Sequence, residues 1–207
     1  MEKLFEGAKK FTNSDFLEYK EIFKSIQNSQ KPHTLFIGCS DSRIVPNLIT
    51  NTMPGELFVI RNIANIVPVY REVNEFLATT SAIEYAVKIL NIENIIVCGH
   101  SNCGGCNAFY LSDDELEKIP HTRKWIQLSK KVIDKVKSDQ EIMNDLVKRE
   151  WITEQLNIVE QISHLMTYPY IKTLADENKI NIYGWHYVIQ TGKIYNYNRE
   201  KNIFELI

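Results

Sequence analysis

Short, continuously apolar runs alternate along the chain with longer stretches in which apolar residues recur every three or four positions. The runs 34–38 and 95–99 have the character of strands that are buried on both faces. Residues 56–60 predict another strand, and residues 180–188 and 193–198 predict two more, joined by a tight turn. Strands separated by helices favour a mostly parallel α/β sheet flanked by helices, with an antiparallel last strand.

Helical spacing of apolar residues predicts four helices, over residues 14–26, 74–90, 151–166 and 170–177. In the third, the apolar positions are Ile152, Leu156, Val159, Ile162 and Leu165. The first precedes every strand, so it packs either on a partner subunit or on the chain's own core. The charge-rich stretch 111–149 predicts surface helices and loops. No repeat or linker divides the chain, which predicts one domain over residues 1–207 with a helical arm at about residues 1–30.

Chemically reactive side chains follow the first and third predicted strands. In the sheet order 2-1-3-4-5, these two strands are neighbours whose connections leave in opposite directions. The crevice outside their carboxyl ends is where ligands bind in open α/β sheets. Cys39 directly follows the first strand, and His100 and Cys103 follow the third. We therefore expect the three side chains to lie together at this edge of the sheet.

Two thiolates and one imidazole are the ligand set of a tetrahedral zinc site that keeps one position open. His100 and Cys103 can bind one ion from a single loop, and Cys39 completes the set from the neighbouring strand. An open position is typical of a catalytic rather than a structural zinc. The alternative is that His100 is a core histidine and the cysteines are small buried hydrophobic residues. The presence of three such groups after two apolar runs favours the metal.

Asp41 and Arg43 occupy alternate positions after Cys39. In an extended segment, Asp41 lies on the same side as Cys39, so its carboxylate can accept a hydrogen bond from the catalytic water or, in a closed state, bind the metal. Arg43 can hold Asp41 in a bidentate pair and so keep the metal position open. We expect activity to be lost in mildly acidic buffer as Asp41 closes on the metal. The alternative roles are an Asx-turn and a surface charge.

Composition excludes several classes of partner. Lys and Arg number 24 against 26 Asp and Glu, and the net charge of −2 indicates neither nucleic acid nor a membrane surface as partner. No apolar run has the length of a signal peptide or a membrane span, so we expect a cytoplasmic protein. In that compartment the four cysteines are metal ligands or buried thiols rather than disulfides.

Five stretches resemble the β-class carbonic anhydrases, at residues 39–43, 54–56, 61–65, 82–86 and 100–105. The resemblance implies reversible hydration of CO2 to bicarbonate and a proton by a zinc-bound hydroxide, with one Zn²⁺ per chain on Cys39, His100 and Cys103. Asp41 and Arg43 are the implied catalytic residues. A homodimer embraced by N-terminal helices, or a homotetramer of paired dimers, is the implied assembly.

Further residues around the site are weaker candidates. Candidates for the CO2 pocket, some of them contributed by the other subunit, are Ile44, Phe58, Val67, Tyr85 and Gly104. Candidates for a proton shuttle are His33, His121, His164 and His186, although a surface or core role is favoured for each. One subgroup is regulated by bicarbonate bound at a Trp, an Arg and a Tyr. This chain has Phe36 in place of that Trp, beside Arg61 and Tyr187, and so lacks the indole donor.

Other functions fit the same residues. A hydrolase acting on CS2 or COS would use the same zinc chemistry on the same fold. A non-catalytic zinc or redox module would use Cys106 as a fourth ligand or a disulfide partner, because Cys103 and Cys106 have the C-x-x-C spacing. A Cys–His acyl-transfer enzyme is a third alternative.

Overall fold

The computed structural model describes residues 1–72 and 77–207. Within these residues, one sheet of six strands forms the centre of the molecule. The strands are β1 Thr34–Cys39, β2 Leu57–Asn62, β3 Asn94–His100, β4 Asn181–Tyr187, β5 Ile194–Asn198 and β6 Ile203–Leu206. The helices are α1 Glu2–Lys10, α2 Phe16–Ile26, α3 Pro46–Thr50, α4 Ala78–Lys88, α5 Gly104–Asn107, α6 Asp113–Glu117, α7 Pro120–Ile126, α8 Lys130–Lys137, α9 Gln140–Asn144, α10 Leu146–Leu165 and α11 Pro169–Asp176.

The spatial order of the strands is β2-β1-β3-β4-β5-β6. Strands β1 to β4 pair in parallel, whereas β4 with β5 and β5 with β6 are antiparallel. This confirms the mostly parallel order 2-1-3-4-5 with an antiparallel fifth strand, and it adds β6 at the edge. Strand β6 was not predicted, because its four residues are too few to show a clear alternation of apolar and polar positions.

Strands β1 and β3 form the buried centre of the sheet, which explains their continuously apolar sequences. Every residue of β1 is buried, and so is every residue of β3 except Asn94. Cys39 pairs with Asn62 of β2, and Gly38 pairs with Cys98 of β3. The carboxyl ends of β1 and β3 therefore lie side by side, and His100 reaches the same edge of the sheet as Cys39.

The helical path of the N-terminal arm begins earlier than the predicted helix over residues 14–26. Helix α1 leads through a π-helical turn, Phe11–Asp15, into α2. The predicted start at residue 14 is wrong, because Ser14 lies inside this helical path and its hydroxyl donates to the backbone oxygen four residues earlier, at 2.7 Å. No residue of α1 or α2 is buried, and Leu4, Phe5 and Leu17 are 70%, 63% and 62% exposed.

The predicted helix over residues 74–90 corresponds to α4, and residues 74–76 lie outside the described part of the chain. Ile83 and Val87, which lie four residues apart on this helix, are buried. The charge-rich stretch 111–149 contains the short helices α6 to α9. In the two described ranges, no helix combines the length and the apolar character that crossing a membrane requires.

Helix α10 buries polar residues beside part of the predicted apolar stripe. Ile162 and Leu165 are buried as predicted, whereas Ile152, Leu156 and Val159 are half-buried. The buried polar residues of α10 are Thr153, Glu154, Asn157, Gln161 and His164. Asn157 Nδ2 donates to the Ala64 carbonyl at 2.8 Å, and Gln161 Oε1 accepts from the Val67 N–H at 2.9 Å. These hydrogen bonds to the loop after β2 permit the burial of Asn157 and Gln161.

Candidate active site

Three metal-ligating side chains converge at the carboxyl edge of β1 and β3. Cys39 ends β1, His100 ends β3, and Cys103 is the residue before α5. The intervening loop turns through Asn102, which has a φ of 54°. One ligand atom from each of the three residues lies within 4.8 Å of the others, and all three residues are buried. Among the residues that the structure describes, no second group of this kind is found.

The geometry of this cluster suits zinc. The Sγ atoms of Cys39 and Cys103 are 3.9 Å apart, and two zinc–sulfur bonds of about 2.3 Å at a tetrahedral angle place the sulfurs about 3.8 Å apart. His100 Nδ1 donates to the Ser101 carbonyl at 3.0 Å, so Nε2 carries the lone pair. That buried Nε2 has no hydrogen-bond partner. A metal ion at this position would satisfy it.

Contact with a neighbouring thiol and burial raise the pKa values of both ligand thiols. Contact with the Cys103 thiol, together with burial, raises the pKa of Cys39 to about 12. Contact with the Cys106 thiol, together with burial, raises the pKa of Cys103 well above its ordinary value. A metal ion that binds both sulfurs must therefore displace two protons.

A charged pair lies beside the cluster. Arg43 donates from Nε to Asp41 Oδ1 at 2.9 Å and from Nη2 to Oδ2 at 2.7 Å. This bidentate pairing holds the pKa of Asp41 well below its usual range. Asp41 Oδ2 is 3.9 Å from His100 Nε2. The structure therefore brings an ionised carboxylate next to the three ligand atoms, and Arg43 holds both of its oxygens.

Further hydrogen bonds connect this pair to the neighbouring strands. Arg43 Nη2 also donates to the Asn102 carbonyl at 3.0 Å, which joins the segment after β1 to the loop after β3. Arg61 of β2 donates to the carbonyls of Cys39 and Asp41, at 3.0 and 2.5 Å. This role of Arg61 was not predicted from the sequence. The one feature that could have indicated it is its positive charge near the end of the strand that pairs with β1.

Comparisons with known proteins identify the family. A family model described as carbonic anhydrase matches residues 34–194. A carbonic anhydrase of Helicobacter pylori strain J99 is 44% identical over 205 residues, covering 98% of this chain and 93% of the relative. The solved structure of the β-carbonic anhydrase CcaA has a TM-score of 0.94 at 34% identity, covering 100% of this chain and 99% of that one. This chain belongs to the β-carbonic anhydrase family.

Other relatives agree with this assignment. A carbonic anhydrase of Synechococcus elongatus is 36% identical over 203 residues, covering 96% of this chain and 72% of the relative. A tetrameric β-carbonic anhydrase of Sordaria macrospora has a TM-score of 0.80 at 29% identity, covering 94% and 95% of the two chains. The resemblance found in the sequence is confirmed, and with it the reaction of the family, the reversible hydration of CO2 to bicarbonate and a proton.

The residues predicted to form the CO2 pocket of this β-carbonic anhydrase do not all lie near the cluster within one chain. Ile44 is buried and packs near Gly38, and Gly104 follows Cys103 directly. Phe58 contacts Tyr85, with ring centroids 6.1 Å apart. Phe58 precedes the end of β2 by four residues, which is about 13 Å along a strand. A pocket role for these two aromatic residues therefore requires a partner subunit.

Val67 and the candidate proton shuttles occupy varied places. Val67 is fully buried in the core, and its carbonyl accepts from His164 Nδ1 at 2.6 Å. His186 is fully buried, whereas His33 is exposed at the opposite edge of the sheet, before β1. His121 lines a groove that also includes Ser40 and so opens beside the cluster. Of the four histidines, His121 alone combines exposure with a groove that reaches the site.

Cys106 and Phe36 are both buried, but neither belongs to the group of ligand residues. Cys106 packs with Cys39 and Cys103 in one apolar cluster, yet it lies outside the group whose ligand atoms converge. Phe36 is fully buried and packs with half-buried Tyr187 and neighbouring residues of the sheet. Both positions are thus filled by apolar packing.

Proposed function

We propose that Cys39, His100 and Cys103 hold one Zn²⁺ per chain and that CO2 is hydrated at this site. The observation that carries the proposal is the unpartnered, buried Nε2 of His100, together with two sulfurs 3.9 Å apart. Zinc supplies acidity: when bound, it makes a coordinated water a nucleophile near neutral pH. The fit of the three ligand atoms to a tetrahedral ion supports zinc over metals that prefer oxygen ligands.

Asp41 orients the attacking water in this proposal. Its Oδ2 lies close to His100 Nε2 and carries negative charge, so it accepts a hydrogen bond from that water. Arg43 fixes the carboxylate through two hydrogen bonds, which limits its motion toward the metal position. The pair thereby selects one orientation of the nucleophile for attack on CO2.

The same carboxylate gives the site a closed state. If the pair with Arg43 broke, Asp41 would be free to serve as a fourth ligand of a metal held by Cys39, His100 and Cys103, in place of water. The distance of 3.9 Å between Asp41 Oδ2 and His100 Nε2 supports this, because nitrogen and oxygen ligands of one tetrahedral ion lie about 3.3 Å apart, so a small shift of the carboxylate would suffice. We propose that acid favours this closed state.

The CO2 pocket is proposed to be apolar and to be completed by a partner subunit. Ile44, Val67 and Gly104 are its proposed contributions from one chain, and Phe58 and Tyr85 those from the other. The half-exposed ring of Tyr85 supports an intersubunit role, since 46% of that residue is open to solvent in a single chain.

The proposed assembly is a homodimer, with pairing of dimers into a homotetramer as its extension. We also propose that residues 1–207 form one domain whose arm, about residues 1–30, packs on the partner. The exposed apolar residues of α1 and α2 support this. A cytoplasmic location is proposed because all four cysteines are free thiols, as in reducing compartments.

The test is zinc content and CO2 hydration in the same purified sample, measured by metal analysis and by stopped-flow with a pH indicator. We expect one zinc per chain and hydration in alkaline buffer. A zinc-loaded protein without hydration at any pH up to 9 would overturn the proposal. Turnover of CS2 or COS, measured alongside, separates a sulfur-substrate hydrolase from a carbonic anhydrase.

A further inference from the structure

A buried carboxylate and a buried imidazole lie directly behind Cys103. Glu154 of α10 accepts the Cys103 backbone N–H on Oε1 at 3.1 Å. Its other oxygen, Oε2, accepts from His186 Nε2 at 2.9 Å. The side chains of Glu154 and His186 are 2% and 0% exposed. The mechanism proposed above uses neither residue.

The surroundings fix the ring of His186. It lies on β4 opposite Gly99 of β3, one residue before the level of His100. Trp151 contacts the ring edge-on, with ring centroids 4.6 Å apart. The ring centroid of Phe204, on β6, lies 6.4 Å from that of His186. His186 Nδ1 is buried and has no hydrogen-bond partner. The carboxylate of Glu154 is thus the group that determines where Nε2 points.

Several hydrogen bonds hold the loop from His100 to Cys103. The Ser101 N–H donates to the Tyr187 carbonyl at 2.9 Å, and the Asn102 carbonyl accepts from Arg43 at 3.0 Å. The bond from the Cys103 N–H to Glu154 reaches a ligand residue of the cluster from another helix, α10. Glu154 therefore controls the backbone position from which the Cys103 sulfur extends.

Burying a carboxylate is costly unless its oxygens are well paired. Both oxygens of Glu154 have a donor, and removing the side chain would leave the buried Cys103 N–H without its acceptor. Hydrogen-bond partners of this kind, one step removed from a metal, typically change metal affinity about 10- to 100-fold when they are mutated.

We propose that Glu154, oriented by His186, is a positioning residue that holds Cys103 in the geometry required for binding zinc. This inference rests on the proposed zinc site. It assigns the polar face of α10 a function in metal binding, beyond its bonds to the loop after β2.

Helix α10 supplies a matched control pair. Glu160 and His164, one and a half turns further on, also form a carboxylate–imidazole pair, with 3.0 Å between Oε1 and Nε2. There His164 Nδ1 bonds to the Val67 carbonyl rather than to a ligand residue. The variant Glu160→Ala therefore removes the carboxylate of a similar pair on the same helix without touching Cys103.

The experiment measures zinc affinity by competition with a fluorescent chelator, and thermal unfolding of the metal-free protein, in the full-length chain. The variants are Glu154→Ala, Glu154→Gln, His186→Leu, His186→Gln and the control Glu160→Ala. Gln at position 154 keeps an acceptor for the Cys103 N–H, and Gln at position 186 keeps a donor for Glu154. We expect Glu154→Ala and His186→Leu to weaken zinc binding about 10- to 100-fold, with both Gln variants within about threefold of the wild type.

Several outcomes would overturn the proposal. One is a folded Glu154→Ala protein that binds zinc as tightly as the wild type, and another is equal weakening by Glu160→Ala. Equal loss in Glu154→Gln and Glu154→Ala would also overturn it, because charge and not the hydrogen bond would then be responsible. If Glu154→Ala does not fold, the zinc affinities of Glu154→Gln and of the two His186 variants test the proposal instead. The zinc site itself is tested separately, because wild-type protein without a bound zinc refutes that site whatever position 154 does.

Discussion

The two sides of the candidate site are built in opposite ways. On the side of Cys39, the controlling groups are Asp41 and Arg43, which lie two and four residues away and have side chains 17% and 46% exposed. On the side of Cys103, the controlling groups are Glu154 and His186, which are far away in sequence and almost completely buried. One side is local and open to solvent, whereas the other is long-range and enclosed.

This difference separates two tasks. A partly exposed charged pair can rearrange, which suits a carboxylate that both orients water and closes the site. A buried pair between a helix and a strand cannot rearrange without breaking core packing, which suits the fixing of a ligand. We infer that the Cys39 side governs catalysis and that the Cys103 side governs metal retention.

The largest predicted effect is the dependence of zinc affinity on pH. Each side of the site supplies one ligand thiol, and zinc must displace a proton from each of them. The raised pKa values mean that both thiols carry protons at neutral pH, and zinc must displace both. Affinity therefore falls as pH falls, by about 100-fold per unit, or about 10⁴-fold from pH 8.5 to 6.5. Chelator competition at the two pH values measures this. A change of only about 100-fold over the same interval would mean that one thiol alone is a ligand.

Removing one ligand comes next. Cys39→Ser should lose bound zinc and reduce CO2 hydration by more than about 10³-fold, since the acidity of the coordinated water is lost with the ion. Cys98→Ser is the matched control, because Cys98 is also a buried thiol on a central strand, two residues before its end, but lies outside the ligand group. Metal analysis and stopped-flow assays compare the two. Equal activity in both variants would refute the assigned ligand set.

The exposed side is tested through its charged pair. Asp41→Asn should reduce hydration about 100-fold while zinc stays bound, because the acceptor that orients the water is weakened. Arg43→Lys should reduce it about tenfold, since Lys gives a point charge and not a bidentate pair. Asp134→Asn, which disrupts an exposed ion pair with Lys130, serves as control. Loss of zinc from Asp41→Asn would contradict the division of tasks between the two sides.

The smallest effect is expected at Cys106. Cys106→Ser should retain one zinc and activity within about twofold of the wild type, because this buried thiol packs beside the ligands without joining them. Loss of zinc from this variant would favour the zinc or redox module with Cys106 as a ligand.

The same contrast explains which residues of the site could be predicted from the sequence and which could not. Cys39, Asp41 and Arg43 are neighbours in one segment, so their spacing alone indicated a metal ligand beside a charged pair. His100 joined them because parallel strands end at one edge of the sheet. Glu154 gave no such signal, since its partners are 51 and 32 residues away and a Glu on a helix is usually exposed.

Similar limits apply to the fold. The buried strands β1 and β3 were predictable from continuous apolar runs, whereas β6 was too short to show a pattern. The apolar stripe predicted for α10 holds for Ile162 and Leu165, but the buried polar residues beside it could not be predicted, because they bond to loop backbone, a tertiary contact that periodicity does not encode.

X-ray absorption at the zinc edge tests the central claim most directly, because it counts the ligands of the ion in the wild-type protein at alkaline pH. The account predicts two sulfurs at about 2.3 Å and one nitrogen and one oxygen at about 2.0–2.1 Å. The oxygen should remain in Asp41→Asn, where it comes from water. A shell with three sulfurs, or with none, would contradict the assignment of Cys39, His100 and Cys103 as the ligands that leave one position open.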